Sequence, residues 1–523
     1  MDRRETVDVL IVGSGPAGAT YARTIGDAAP QARVLMVEVG PVVPGSRGDH
    51  TQNMTDEERA AAQLLTQGPD GGVVRAAALS DIAPGIDPSL EFRQTILPGL
   101  FFVDPRPALK PGEVGLPAAS MASGVGGMGI HWGTSSPRPQ QSERIPFIDA
   151  DELDMALDQA EELLGTSTFP VPGRGLPEAL RAAVAEVLDG PGLNATGFMP
   201  TSTRWEDGSL RFAGTGAILG ELESNMAGFE LRAETLAERV LVEDGVAVGA
   251  LLRDRRSDTT YEVRAHHVVV CADGLRTPQV LFASGIRPPA LGHYLNEHFQ
   301  MANFLMLSDE FDPQQFERDP ENVVSIMTPF SDARPLQMGV IPLANSAFKM
   351  SMGGGPGAED LSTSRLAVTA CYAAKDIQYS DAVEFSETEV DFYGMPRMHI
   401  RYSRTDADLA VIEQMRQVSV AVADRLGTAA EGPELAAGGS SLHYQGTVRM
   451  GPVDDGTSVC SPDLEVWGVE NLYLGGNGVI PTATASNPTL TTVALAWRAA
   501  TRLAERLTES VEAAAAPRHH AQV

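Results

Sequence analysis

The chain has 523 residues, more than one ordinary core holds, so two or more structural units are expected. Asp and Glu outnumber Lys and Arg by 69 to 39, a formal charge of −30, which argues against nucleic acid or an anionic membrane as partner, since both are bound chiefly through Lys and Arg at phosphates. The three cysteines, Cys271, Cys371 and Cys460, are far apart and lack CxxC spacing; this argues against a disulfide framework and a structural zinc site, predicts no metal, and fits a cytoplasmic protein.

Arg3 and Arg4 precede an apolar run from Val7 to Ala19 that imitates a secretion signal. It carries glycines at fixed spacing and ends in no Ala-x-Ala site, so it reads as the first strand and turn of the fold. No uninterrupted stretch of about 20 apolar residues follows, which argues against a membrane span. Val7 to Val12 reads as a buried strand. Gly13, Gly15 and Gly18 then make G-x-G-x-x-G, ahead of Ala19 and a helix-like run. In such a turn the first glycine makes the bend, the second lets a pyrophosphate approach the backbone, and the third lets helix and strand pack closely. The helix N-terminus faces the phosphates. The next strand, ARVLMVEVG, carries Glu38, 20 residues after Gly18. A carboxylate there accepts ribose hydroxyls and repels a 2′-phosphate. The pattern does not by itself separate FAD from NAD.

Residues 46–94 are polar and mixed, and read as a cofactor-covering or lid loop. The run GVGGMGIHWG offers backbone without side chains to a large flat ligand, beside His131 and Trp132. DELDMALDQAEELL reads as a helix. FELRAETLAERVLVEDGVAVGALLRD reads as strands joined by an acidic-Gly turn, RAHHVVVCADG as a strand, and TPQVLFASGI as a helix. From about 300 to 440 a second unit is expected, with strands in ANFLMLSD, VSIMTPF, LQMGVIPL and RMHIRYSR and an amphipathic helix near 405–427. His443 and Asn487 then stand 44 residues apart in polar, turn-rich segments. A neutral imidazole can take an alcohol proton near pH 7, an amide can orient the oxygen, and Pro488 rigidifies the turn after Asn487. No G-x-S-x-G, Walker A, H-E-x-x-H or EF-hand pattern is present.

Taken together, VGSGPAGA, GGMGIHW, CADGLRTPQVLFASGI, GHYLNEH, HYQGTVRMG and LYLGGNGVIPTATASNPT, spread over nearly the whole chain, resemble the glucose–methanol–choline (GMC) family of flavin oxidoreductases. The C-terminal motif and the His-Trp pair are most similar to its pyranose oxidase-like branch, which includes bacterial enzymes acting on glycosides. The resemblance implies an α/β fold: a doubly wound FAD-binding domain of discontinuous segments (1–45, 95–140, 225–300 and 450–515) plus an α+β substrate domain with a large antiparallel sheet (141–224 and 301–449). It implies that Gly13, Gly15, Gly18 and Glu38 hold the ADP half of FAD. It places Ala237 at the adenine, Ala272 and Asp273 close to the dinucleotide, and Gly127, Met128, Gly129, His131, Trp132, Gly476, Asn477, Pro488 and Thr489 around the rest of the cofactor. It makes His443 the catalytic histidine and Asn487 its partner at the substrate.

Two departures from the pyranose oxidase pattern bear on chemistry. Where that pattern has Ser-Thr-His-Trp-Thr, with the histidine bonded to flavin, this chain has Gly133 after His131 and Trp132; a non-covalent FAD is expected, with a link to His131 left open. Where that pattern has Met-Pro-Gln-Pro-Thr-Phe-Asp, this chain has Arg397 and Arg401 in place of Gln and Asp. Both are expected at the substrate, favouring a bulky glycoside oxidised at C3 over free glucose oxidised at C2. The expected reaction is FAD-dependent oxidation of a sugar secondary alcohol with O₂ or a quinone as acceptor; a pyranose 2-oxidase or another GMC alcohol oxidase or dehydrogenase is the alternative. With no obvious oligomerisation arm, a monomer or small homo-oligomer is expected.

Overall fold

A computed structural model describes residues 5–45, 47–67, 98–103, 109–167, 175–206, 209–316, 325–342, 365–429 and 431–515. The N-terminal apolar run forms β1 (Glu5–Val12), buried from Val9 to Val12. Helix α1 (Pro16–Ala28) follows, with Pro16 at the first helical position, where a missing N–H leaves no helical bond unmade. β2 (Val34–Val37) pairs parallel to β1, and β3 (Phe229–Arg232) pairs parallel to β2. β4 (Thr235–Glu243) and β5 (Val246–Asp254) form the expected hairpin. Its turn residues Asp244 and Gly245 both have positive φ, 52° and 82°, the geometry that matches strand twist in a two-residue turn. β6 (Thr259–Val270) is antiparallel to β5 over its first half and parallel to β1 over its second.

The resulting sheet has the order β3-β2-β1-β6-β5-β4, with the strand Leu472–Leu474 added beside β6. The chain leaves β1 toward β2 on one side, while β6 lies on the other. That switch point, at the carboxyl ends of β1 and β6, is where open α/β sheets bind ligands. Helix Thr489–Ala515 packs against α1 and against helix Ala150–Leu164. Leu153, Leu157 and Leu164 share the first core, so this helix, expected in the second unit, belongs by packing to the first.

The second sheet is antiparallel. Its strands are β7 (Phe299–Leu307), β8 (Ile326–Thr328), β9 (Leu336–Pro342) and β10 (Leu366–Ala373), in the order β7-β10-β9-β8, with short edges at Gly427–Ala429, Glu434–Leu435 and Gly197–Phe198. Helix Asp406–Leu426, near its expected place, and helix Gly175–Leu188 cover one face. A separate ribbon pairs β11 (Ala382–Val390) with β12 (Pro396–Arg401). The buried ammonium of Lys375 bonds Asp408 at the start of the long helix and Asp381 just before β11, each at 2.9 Å, tying helix, sheet and ribbon together. Of the expected lid, residues 46 and 68–94 lie outside the described residues; the remainder forms a turn at Thr51–Asn53 and a helix at Asp56–Gln67.

Candidate active site

A cleft at the switch point runs between the two units and encloses about 1630 Å³ of space, part of it open to solvent. Its walls include Gly13, Gly15, Glu38, Gly127, Met128, Gly129, His131, Trp132, Ala237, Ala272, Asp273, Gly476, Asn477, Thr489, His443 and Asn487. Residues read from distant parts of the chain therefore line one continuous site. Pro488 is buried and does not line it; its carbonyl accepts the Thr492 N–H at 2.8 Å at the start of the last helix.

The three turn glycines do different work. A Cβ on Gly13, at φ 99°, would lie 2.3 Å from the Cys271 carbonyl oxygen. A Cβ on Gly18 would lie 2.0 Å from the Gly13 oxygen. Both are required by the protein's own backbone. A Cβ on Gly15 would meet nothing nearer than 4.0 Å, although Gly15 lines the cleft at the start of α1. Space the protein does not fill, beside a helix N-terminus, is what an approaching pyrophosphate needs. Farther along, a Cβ on Gly129 would strike Thr215 at 2.2 Å and Pro16 at 2.7 Å, so the glycine-rich turn packs directly on the first turn of α1. Trp132 donates Nε1–H to the Ala213 carbonyl at 2.7 Å, and His50 Nε2 lies 2.8 Å from the Trp132 oxygen.

Glu38 is buried at the cleft wall. One of its oxygens accepts Ser14 Oγ–H at 2.7 Å and the other accepts the Gly40 N–H at 3.0 Å. Burial raises its pKa and these donors pull it back down. Ser14 was not singled out from sequence; as an x position of the motif it carries no signal there.

His443 Nδ1 stands 2.6 Å from Nε2 of the buried His298, whose Nδ1 is 3.2 Å from the Thr484 carbonyl. Asn487 Oδ1 accepts Gln337 Nε2–H at 3.1 Å, which leaves the Asn487 amide hydrogens available to the cleft. The loop before Asn487 is held from beneath by buried Glu143, which accepts the N–H groups of Ala485 and Ser486, each at 2.8 Å, and the Ser486 hydroxyl at 2.6 Å. Glu143→Gln replaces an acceptor with a donor facing those groups and is expected to cost about 2 kcal/mol, read by urea unfolding, and to slow substrate oxidation by loosening Asn487. Unchanged stability would show that the loop holds itself.

The structure does not bring Arg397 and Arg401 to this cleft. They alternate with buried Met398 and Ile400 along β12, so the two-residue period of the strand turns them to its other face. There Arg397 approaches Glu389 at 3.8 Å, and Arg401 pairs with Glu113 and Glu384, each at 3.0 Å. From the same segment Met395 does reach the cleft.

Burial lowers His443 to about 4 and His298 well below its ordinary value, the latter aided by its histidine neighbour. Both are therefore neutral at physiological pH. A histidine whose folded pKa lies below its unfolded one contributes stability that is present above pH 6.5 and lost as pH falls toward 4. Glu297, pushed up to about 7 by burial, acts oppositely, with stability falling as pH rises toward 7. Because Glu297 stays in place, comparing His443→Asn with the parent cancels its contribution and leaves that of the His443–His298 pair. Between pH 7.5 and pH 5 the parent is expected to lose on the order of 2 kcal/mol more stability than the variant, read by urea unfolding at each pH. Parallel pH curves would contradict a His443 imidazole held neutral in the fold.

Among the described residues no helix is long and apolar enough to cross a membrane. Models of the GMC oxidoreductase family match residues 140–300 and 382–496. The chain is 42% identical over 513 residues to a C-glycoside 3-oxidase from Microbacterium trichothecenolyticum, covering 96% of this chain and 97% of that protein. It is 30% identical to a pyranose 2-oxidase from Tricholoma matsutake, covering 94% and 93% of the two chains. A solved structure of an Aspergillus oryzae formate oxidase variant superposes with a TM-score of 0.67 at 12% identity, covering 98% of this chain and 100% of that one, and shows the shared fold.

Proposed function

The chain belongs to the GMC oxidoreductase family, and from that premise we propose that it oxidises a sugar secondary alcohol to a keto-sugar in an FAD-dependent reaction, at C3 of the glucosyl unit of a C-glycoside. The observation that carries the reading is that His443 and Asn487 line the same cleft as the glycine turn and Glu38. The glucosyl C3 position is supported by the greater similarity to the C-glycoside 3-oxidase, at 42% identity, than to the pyranose 2-oxidase, at 30%.

The residues present fit FAD. Gly13, Gly15 and the first turn of α1 would cradle the pyrophosphate, and Glu38 the adenosine ribose. The 127–132 turn, Gly476, Asn477 and Thr489 would hold the flavin half. When bound, FAD supplies the two-electron acceptor for the substrate's hydride. His443 takes the hydroxyl proton on Nε2, the ring nitrogen not engaged by His298. Asn487 donates an amide hydrogen to the same oxygen and fixes its position; such alignment is a large part of catalytic power. The alcohol thus loses one proton and one hydride, and dioxygen, or a quinone, takes up the two electrons, dioxygen ending as hydrogen peroxide. The FAD is held without a covalent bond, in keeping with Gly133 after the His-Trp pair; acid precipitation is expected to release the yellow colour, and colour retained in the pellet would show a link at His131.

Anaerobic mixing with a C-glucosyl flavone and, separately, with D-glucose tests the substrate class. Faster flavin bleaching by the flavone glycoside supports the proposal. Bleaching by glucose alone makes the protein a free-sugar oxidase.

A further inference from the structure

We propose that His298 is a positioning residue that fixes the tautomer of His443, holding the proton on Nδ1 and leaving a lone pair on Nε2 for the substrate hydroxyl. The inference rests on the reading of His443 as the proton acceptor.

The argument runs along the hydrogen bonds from the only member with no choice. The Thr484 carbonyl can accept but not donate. His298 Nδ1, 3.2 Å away, therefore carries the hydrogen. His298 is 2% exposed, and burial beside a second imidazole keeps it neutral. A neutral imidazole protonated on Nδ1 has an acceptor at Nε2. His443 Nδ1 lies 2.6 Å from that nitrogen, so it must be the donor. The remaining nitrogen of His443, Nε2, then holds a lone pair.

In water the opposite tautomer of a histidine side chain, with hydrogen on Nε2, is the commoner one. Without an acceptor at Nδ1, His443 would favour the form that presents hydrogen where the reaction needs a base. His298 also braces the ring physically. The two imidazoles meet edge to face with centroids 4.7 Å apart and planes at 85°, and Tyr372 packs on His298 at 4.8 Å. Once His443 has taken the substrate proton, its Nδ1–H still points at the His298 lone pair, so the bond persists in the charged form. The same ring touches both halves of the reactive pair: through Nε2 it holds His443, and through Nδ1 it holds the loop that leads from Thr484 to Asn487.

The preceding residue works in parallel on the backbone. Glu297 accepts the Gly439 N–H at 2.6 Å and the Ser441 hydroxyl at 2.7 Å, gripping the turn that delivers His443. The Glu-His pair just before β7 thus holds the turn with one side chain and the ring with the other.

The test compares His298→Leu, which fills the space without an acceptor, with His298→Gln, whose amide oxygen can accept the Nδ1 hydrogen. In anaerobic stopped-flow with whichever of D-glucose or the C-glucosyl flavone reduces the parent, the limiting rate is expected to fall roughly 100-fold in the leucine variant. Substrate affinity should stay within about threefold, and glutamine should restore most of the rate, because binding is left intact and only the base is mis-set. In ¹⁵N-histidine-labelled holoenzyme, with His443 assigned by its loss in His443→Asn, Nε2 should resonate as an unprotonated nitrogen in the parent and as a protonated one in the leucine variant. Parent enzyme with hydrogen on His443 Nε2, a leucine variant at full rate, or glutamine as slow as leucine would each overturn the inference. The spectrum of the parent decides even if the leucine variant fails to fold. Failure of the functional reading is separate: the parent would then be reduced by neither sugar, whatever the tautomer.

Discussion

His443→Ala is expected to lower the limiting rate of flavin reduction by about 10³-fold, in the range of a lost general base, while the protein stays yellow. The two effects separate because His443 meets the cleft from the turn that follows Gly439, and the glycine turn, Glu38 and the 127–132 turn are untouched by its removal. The imidazole also packs against His298, so truncation leaves His298 Nε2 without its donor; a modest stability loss accompanies the kinetic one. Stopped-flow absorbance of the anaerobic, FAD-loaded variant gives the rate and flavin content together. A rate within tenfold of the parent would remove His443 from proton transfer.

The second large effect concerns the turn glycines, where the structure separates two reasons for the same residue type. Gly18→Val drives side-chain atoms into the Gly13 carbonyl, since even a Cβ would sit 2.0 Å from it. Helix α1 could not then pack on the turn, and the variant is expected to purify colourless and destabilised by several kcal/mol, roughly the scale of an overpacked core. Gly15→Ala adds a Cβ that, apart from its two chain neighbours, has no protein atom nearer than 4.0 Å. Its apoprotein should unfold at nearly the parent's urea midpoint, yet bind FAD at least about tenfold more weakly, a change of about 1.4 kcal/mol. Equal FAD affinity for Gly15→Ala and the parent would show that the cofactor does not approach Gly15.

Much of this site was legible because its parts carry local signatures. Gly13, Gly15, Gly18 and Glu38 follow a spacing set by one βαβ unit, and the His131-Trp132 turn announces itself through its glycines. What was not legible depends on contacts between distant segments. His298 lies 145 residues from the ring it holds, and Glu143 lies 343 residues from the Ser486 it bonds; no periodicity links such pairs. Gln337 looks like one polar residue in the apolar run LQMGVIPL, and only the sheet register turns it toward Asn487. Arg397 and Arg401 illustrate the converse: motif position suggested the substrate, while strand alternation sent them to Glu389, Glu113 and Glu384. Strand β10, central to the second sheet, was not singled out because LAVTACYA is a short, alanine-rich apolar run without clear alternation. β11 carries no clear strand signal because its second half, SETE, is polar and mostly exposed rather than half-buried.

The most direct test of the central claim uses a C-glucosyl flavone deuterated at glucosyl C3 or, separately, at C2, with flavin reduction followed anaerobically and the keto-sugar identified. The account predicts a primary isotope effect from deuterium at C3 alone and a 3-keto product. An isotope effect from C2 with a 2-keto product would contradict it.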